Sequence, residues 1–253
     1  MITRNASVGV ALRTADSNNA MSYNSVSGVA GSRDTARFAI RPYREGDEPA
    51  LREVCVRTGK SGQDASDWIP GGLLPDIYLS PYVQYAPDLV FVVDQNGMPC
   101  GYAIAAADTA AFVAWYREHW LPVFLERHRV VDQSASAADR LAQTGRHPEN
   151  FLGPDQDRYP AHMHIDLLPV AQGQGVGRRL MQAMLAELHR RGIPGVQLGV
   201  GAGNSRARGF YAHLGFRPLP SAPGNPLQLC ISTDHIGTTV NTGTIPVGTG
   251  REQ

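Results

Sequence analysis

Leu167-Leu168-Pro169-Val170-Ala171-Gln172-Gly173-Gln174-Gly175-Val176-Gly177-Arg178 is the stretch that decides how this chain is read. An apolar strand pattern, His162–Leu168, runs into it, three glycines follow at alternating positions, and an amphipathic helix leaves it. That helix, Gly175–Arg191, carries Val176, Leu180, Met181, Met184, Leu185 and Leu188 on one stripe. Gly192 and Pro194 supply its stop signal. Glycines at a strand-to-helix turn let the main chain approach a ligand without a Cβ clash. The first N–H groups of a helix have no internal partner, and the macrodipole adds roughly half a positive charge there. Together these features make a site for a pyrophosphate, to which Arg178 and Arg179 are placed to add charge-assisted bonds. A Rossmann turn requires a different glycine spacing and an acidic residue ~20 positions on, whereas Glu187 comes too early. A Walker loop requires a lysine, and the stretch has none. A glycine-rich turn with no ligand is the rival reading of these residues alone.

Outward from the turn, Val196–Val200 reads as a strand and Asn204–Leu214 as a helix, capped by Asn204 or Ser205 and closed by Gly215. Leu227–Ser232 is the last strand. Upstream, Arg37–Arg41 alternates like a strand that Pro42 ends, and Glu48–Arg57 looks helical. Leu89–Asp94, the turn Gln95-Asn96-Gly97 and Pro99–Ala107 form a hairpin. Between Asp108 and Pro160 the pattern predicts an aromatic-rich helix through Phe112, Trp115, Tyr116, Trp120 and Phe124, broken or kinked at Pro122. A more polar helix near Ser134–Thr144 follows. This order is an α/β pattern around one mixed sheet. The folded part spans 37–233. Residues 1–36 and 234–253 are rich in small and polar residues with no sustained period, and are expected to be flexible tails.

Lys+Arg and Asp+Glu each count 23, so no global charge draws the chain to nucleic acid or to a membrane surface. Lys60 is the only lysine, so ligand phosphates must be met by arginine or backbone N–H groups. Cys55, Cys100 and Cys230 are an odd number without C-x-x-C spacing, which fits a reducing, cytoplasmic compartment and argues against a zinc site or a disulfide framework. No apolar run approaches the ~20 residues that a membrane helix needs.

A second block, Asn204-x-x-Ala207-x-x-Phe210-Tyr211-x-x-Leu214-Gly215-Phe216, follows the next strand. With it, the chain resembles the GNAT superfamily of acetyltransferases. Gln172, Gly175 and Gly177 match the family's Q/R-x-x-G-x-G phosphate signature. Asn204, Ala207, Phe210, Tyr211, Gly215 and Phe216 match its last helix. Ile40-Arg41-Pro42 with Gly46-Asp47 looks like its first strand and turn. A narrower similarity, through Cys100-Gly101-Tyr102-Ala103, Asp108, Trp120-Leu121-Pro122 and Ile165-Asp166, is to the acetyltransferase-like C-terminal domain of O-GlcNAcases and its free-standing bacterial relatives. The resemblance implies a mixed, mostly antiparallel central sheet flanked by helices, with a helical insertion (about 108–160) before the fourth strand.

It further implies an N-acetyltransferase that moves the acetyl group of acetyl-CoA to an amine, by direct transfer in a ternary complex and without a metal. The cofactor would rest on Leu167, Leu168, Gln172, Gly173, Gln174, Gly175, Val176, Gly177, Arg178, Asn204, Ala207, Phe210 and Tyr211. Direct transfer needs a neutral amine, so a base or a water relay must take its proton. Asp166 is the first candidate, with binding of the substrate ammonium as its other role; His164 and Asp108 are alternatives, and Asp108 is also expected to bind substrate. Tyr211 matches the tyrosine that protonates the departing thiolate. Histone-type relatives place a glutamate earlier on this strand, where Ala161 stands here, so that role does not carry over. His162 and His164 alternate on one strand and should face the same side. The insertion is expected to cover the acceptor site. The acceptor, a small amine or a protein lysine, and the oligomeric state stay open. A non-catalytic acetyl-CoA sensor or interaction module is the alternative function.

Overall fold

The computed structural model describes residues 38–69, 72–128, 136–201, 203–220 and 227–234. The expected tails therefore lie outside the described residues, Asp234 apart. Seven strands form one sheet in the order β1-β2-β3-β4-β5-β7-β6. They are β1 (Ala39–Pro42), β2 (Val90–Gln95), β3 (Met98–Ala106), β4 (Ala161–Leu167), β5 (Gly195–Val200), β6 (Arg217–Pro218) and β7 (Leu227–Ser232). Every neighbouring pair is antiparallel except β4 with β5.

The β2–β3 hairpin turns through Asn96 and Gly97, both with positive φ (54° and 85°), as a two-residue turn matched to strand twist requires. The side chains of β3 alternate between two cores. Ala103 and Ala105 enter one core, while Tyr102, Ile104 and Ala106 enter the other. A strand covered on both faces has no polar side to show, which is why its sequence reads as an unbroken apolar run.

The first core lies under α7 (Val176–Arg190) and α8 (Ser205–His213). The whole predicted stripe of α7, from Val176 to Leu188, is buried in it. The second core collects α1 (Glu48–Thr58), α2 (Leu73–Tyr78), α3 (Ser80–Tyr85), α4 (Thr109–Trp115), α5 (Leu121–Arg127) and α6 (Ala137–Arg146). Both α2 and α3 were unread in the sequence.

The insertion belongs to this second core. Instead of breaking at Pro122, the aromatic helix passes through one π turn (Tyr116–Trp120), and Pro122 falls in the first turn of α5, where its missing N–H costs nothing. Phe112, Tyr116, Trp120 and Phe124 are fully buried. The Trp120 indole donates to the Asp76 carbonyl at 2.8 Å, and the Tyr116 hydroxyl to the Gly145 carbonyl at 2.9 Å. These aromatics are structural.

Candidate active site

The site begins where the sheet comes apart. β4 pairs with β3 along its length, from His162 opposite Ala106 to Leu167 opposite Gly101. It pairs with β5 only at Ala161–Val196 and His162–Gln197, after which the two strands diverge. The Leu168 N–H donates to the Cys100 carbonyl at 2.9 Å. An antiparallel ladder uses alternate residues, so His164 and Asp166 turn their main-chain groups toward β3. Ile165 and Leu167 turn theirs into the opening. The Leu167 carbonyl accepts from Gln172 Nε2 at 2.7 Å; its N–H has no partner among the described residues. Unpaired amides inside a sheet want a partner, and an extended chain with its own amides is a fitting one.

The glycine turn lies at the wide end. Gly173 and Gly175 both have φ of +73°, a conformation that costs an L side chain roughly 1–2 kcal/mol. Gly175 is the residue before α7, and the first helical bond runs from Arg179 N to its carbonyl. The N–H groups of Val176, Gly177 and Arg178 therefore open the helix without intrahelical partners. A Cβ on Gly177 would press on Leu167 at 3.2 Å and on the Phe210 ring at 3.3 Å. The Arg178 side chain lines the cavity and makes no ion pair among the described residues, whereas Arg179 is turned away to the Phe38 carbonyl at 3.2 Å.

Several expected contacts need correction. Leu168 has both main-chain groups engaged, its N–H by Cys100 and its carbonyl by Ala171 N–H, and it does not line the cavity. Gln172 fastens the turn to β4 through its side chain. The side chains of Gln174 and Val176 do not line the cavity, and Val176 is core, so what these two positions present to a ligand is their main-chain N–H groups. Asp108 is exposed, caps α4 by accepting from Ala111 N–H at 2.9 Å, and does not line the cavity. A helix cap is its role, not substrate binding.

A cavity of about 1650 Å³ follows the opening. Asn204, Ala207, Phe210 and Tyr211 close one side, and Tyr78, Phe151, His164 and Asp166 line the other. Asn204 spends its side-chain oxygen on capping α8, accepting from Ala207 N–H at 3.0 Å. Tyr211 is buried to 7% exposure against Phe210 and Phe216. Its hydroxyl makes no hydrogen bond among the described residues. Burial, with the Asp166 charge nearby, raises its pKa well above the usual phenol value, so it keeps its proton. Asp166 accepts from the Tyr102 hydroxyl at 2.6 Å. Burial raises its pKa against the opposing pull of that bond.

His162 and His164 do face one side. There the Tyr82 hydroxyl lies 2.7 Å from His162 Nε2 and 3.0 Å from His164 Nε2. Burial lowers both imidazole pKa values, that of His164 to about 4, so both rings are neutral near pH 7. Tyr78, Tyr82 and Phe151 hem in the His164 ring edge-on. Sequence reading missed Tyr78, Tyr82, Phe151 and Gln197. Gln197 is 1% exposed and lines the cavity, and neither polar atom of its amide has a partner among the described residues. A buried amide costs several kcal/mol when nothing bonds it.

A sheet split between its parallel neighbours, with a glycine turn at the mouth, defines a class of α/β domain that is open between two strands. Residues 146–216 match the Acetyltransferase (GNAT) family. The crystal structure of SsHAT shares 40% sequence identity, with a TM-score of 0.74, and the match covers 78% of this chain and 98% of SsHAT. The chain is 29% identical to mycothiol acetyltransferase of Nocardia farcinica over 70% of its length and 61% of that protein's. It is 23% identical to the O-GlcNAcase of Rattus norvegicus over 77% of its length, but spans 22% of that protein. The chain belongs to the GNAT acetyltransferase family.

Proposed function

We propose that the protein is an acetyl-CoA-dependent N-acetyltransferase working by direct transfer in a ternary complex. The observation that carries this reading is the parting of β4 from β5, with Ile165 and Leu167 amides facing the opening and the glycine turn at its mouth. The residues fit the group. N–H groups from Gly173 to Arg178, with the Arg178 guanidinium, would hold the diphosphate. The Ile165 and Leu167 main chain would hold the amide-bearing arm as an added strand. A main-chain donor of β4 would also polarise the thioester carbonyl, an interaction worth about 3 kcal/mol for one well-placed donor. No metal enters this scheme.

On the opposite wall, Asp166 would draw the acceptor's ammonium into the cavity. Tyr211, protonated and within reach of the Asp166 field, would protonate the departing thiolate. The acceptor is an amine on a small molecule or a protein lysine. Free-thiol release from acetyl-CoA across a panel of amines tests the activity. Tyr211→Phe should lower kcat about 100-fold while leaving coenzyme A affinity unchanged. A panel without turnover, in a protein that still binds coenzyme A, would favour the sensor reading instead.

A further inference from the structure

We infer that His164 is the general base, accepting the acceptor's proton on Nδ1, and that Tyr82, His162 and Thr109 fix it in the tautomer that can do so. The inference rests on the acetyl-transfer reading above and on a chain of hydrogen bonds with only one consistent arrangement of protons. Thr109 Oγ1 lies 2.6 Å from the Pro160 carbonyl, and two oxygens that close need a proton between them. A carbonyl only accepts, so the threonine proton points at Pro160. Thr109 Oγ1 also lies 2.9 Å from His162 Nδ1. Its own proton is spent, so it must accept there, and His162 carries its proton on Nδ1. The neutral ring then has a bare Nε2, which accepts from the Tyr82 hydroxyl at 2.7 Å. Tyr82 has now used its one proton. Its contact to His164 Nε2 at 3.0 Å is therefore donated by the imidazole. His164 is left with a proton on Nε2 and a lone pair on Nδ1.

That lone pair has no partner among the described residues, and it is not sealed in, because the only buried side-chain N and O atoms left unbonded there belong to Gln197. His164 lines the cavity beside Asp166. Every donor in the relay points away from the cavity toward Pro160, and such aligned bonds polarise one another. Donation from Nε2 enriches Nδ1 in electron density, as a carboxylate does for the histidine of a hydrolase triad. Asp166, by contrast, already takes the Tyr102 proton on one oxygen. It serves as the ammonium's counter-ion.

The transfer balances. Once Asp166 has drawn the ammonium in, the acceptor loses that proton to solvent, and the neutral amine nitrogen attacks the acetyl carbonyl carbon. As the N–C bond forms, the nitrogen becomes cationic and far more acidic, so a weakly basic imidazole suffices to remove its proton. The C–S bond breaks, the thiolate takes the Tyr211 proton, and exchange with solvent returns both residues to their starting states.

Long-range ¹H–¹⁵N spectra of the full chain at neutral pH test the tautomers without any ligand. His164 should be protonated on Nε2 alone and His162 on Nδ1 alone; a proton on His164 Nδ1 overturns the inference. His164→Gln keeps an N–H where the imidazole donates to Tyr82 and replaces the basic ring nitrogen with a non-basic amide. With acetyl-CoA and methylamine as the probe amine, kcat should fall 100-fold or more, while coenzyme A affinity by calorimetry stays within twofold. A kcat within threefold of the wild type refutes the base assignment. Tyr82→Phe should leave His164 as a mixture of tautomers with an intermediate loss of kcat, a spectral change that a packing role would not produce. Failure of wild-type protein to bind coenzyme A would instead sink the acetyl-transfer reading and leave the tautomer result standing.

Discussion

Glycine does two different jobs at the level of single residues. Gly145 has its Cβ direction filled by the Phe124 ring, within 2.6 Å of Cε2. Gly145→Ala should therefore destabilise the fold by about 1–3 kcal/mol, seen as a lower urea midpoint. Gly175 has nothing within 4 Å of that position, but its φ is +73°. Gly175→Ala should cost about 1–2 kcal/mol of strain and weaken coenzyme A binding by reshaping the cradle, which calorimetry would record. Asp108 teaches a related lesson. An aspartate just before a helical run was legible as a cap, and its side chain spends itself on Ala111 N–H. Assigning it to substrate neglected that local bond.

Sequence reading succeeded where an element's identity is set by its own period. The stripe of α7 and the run of β7 came out within a residue of the structure, because one buried face dictates each. It failed at α2 and α3, six residues each with Pro75 and Pro81 in their first turns. Such pieces are too short to show a helical period. α7 also carries a testable electrostatic feature at its end. Glu187 is held to about 2, first by its bond to Arg190 and also by Arg191. Its folded-state pKa is depressed, so the stabilisation is present above the ordinary value of 4.5 and disappears as pH falls through about 2. Glu187→Gln should thus lower Tm at pH 6, with the difference from wild type vanishing by pH 2.

For the whole molecule, period-2 alternation told which face each β4 side chain takes. It could not tell which edge of β4 is paired. That His162, His164 and Asp166 share a side was therefore readable, but the parting from β5 was not, because it is a property of two strands far apart in sequence. Nor was the histidine relay, since Tyr82 lies in a segment the pattern left blank. The two cores hold this opening in place, with α7 and α8 fixing the glycine turn from one face and α1 to α6 fixing the tyrosine-lined wall from the other.

Residue-resolved amide exchange, with and without coenzyme A, probes the divided sheet most directly. The Asp166 and Leu168 amides, bonded to β3, should be protected in both states. Those of Ile165 and Leu167, with Val176 to Arg178, should exchange readily in the free protein and slow together when the ligand saturates. Protection of Ile165 and Leu167 before any ligand is added, or exchange that coenzyme A leaves unchanged, would contradict the account.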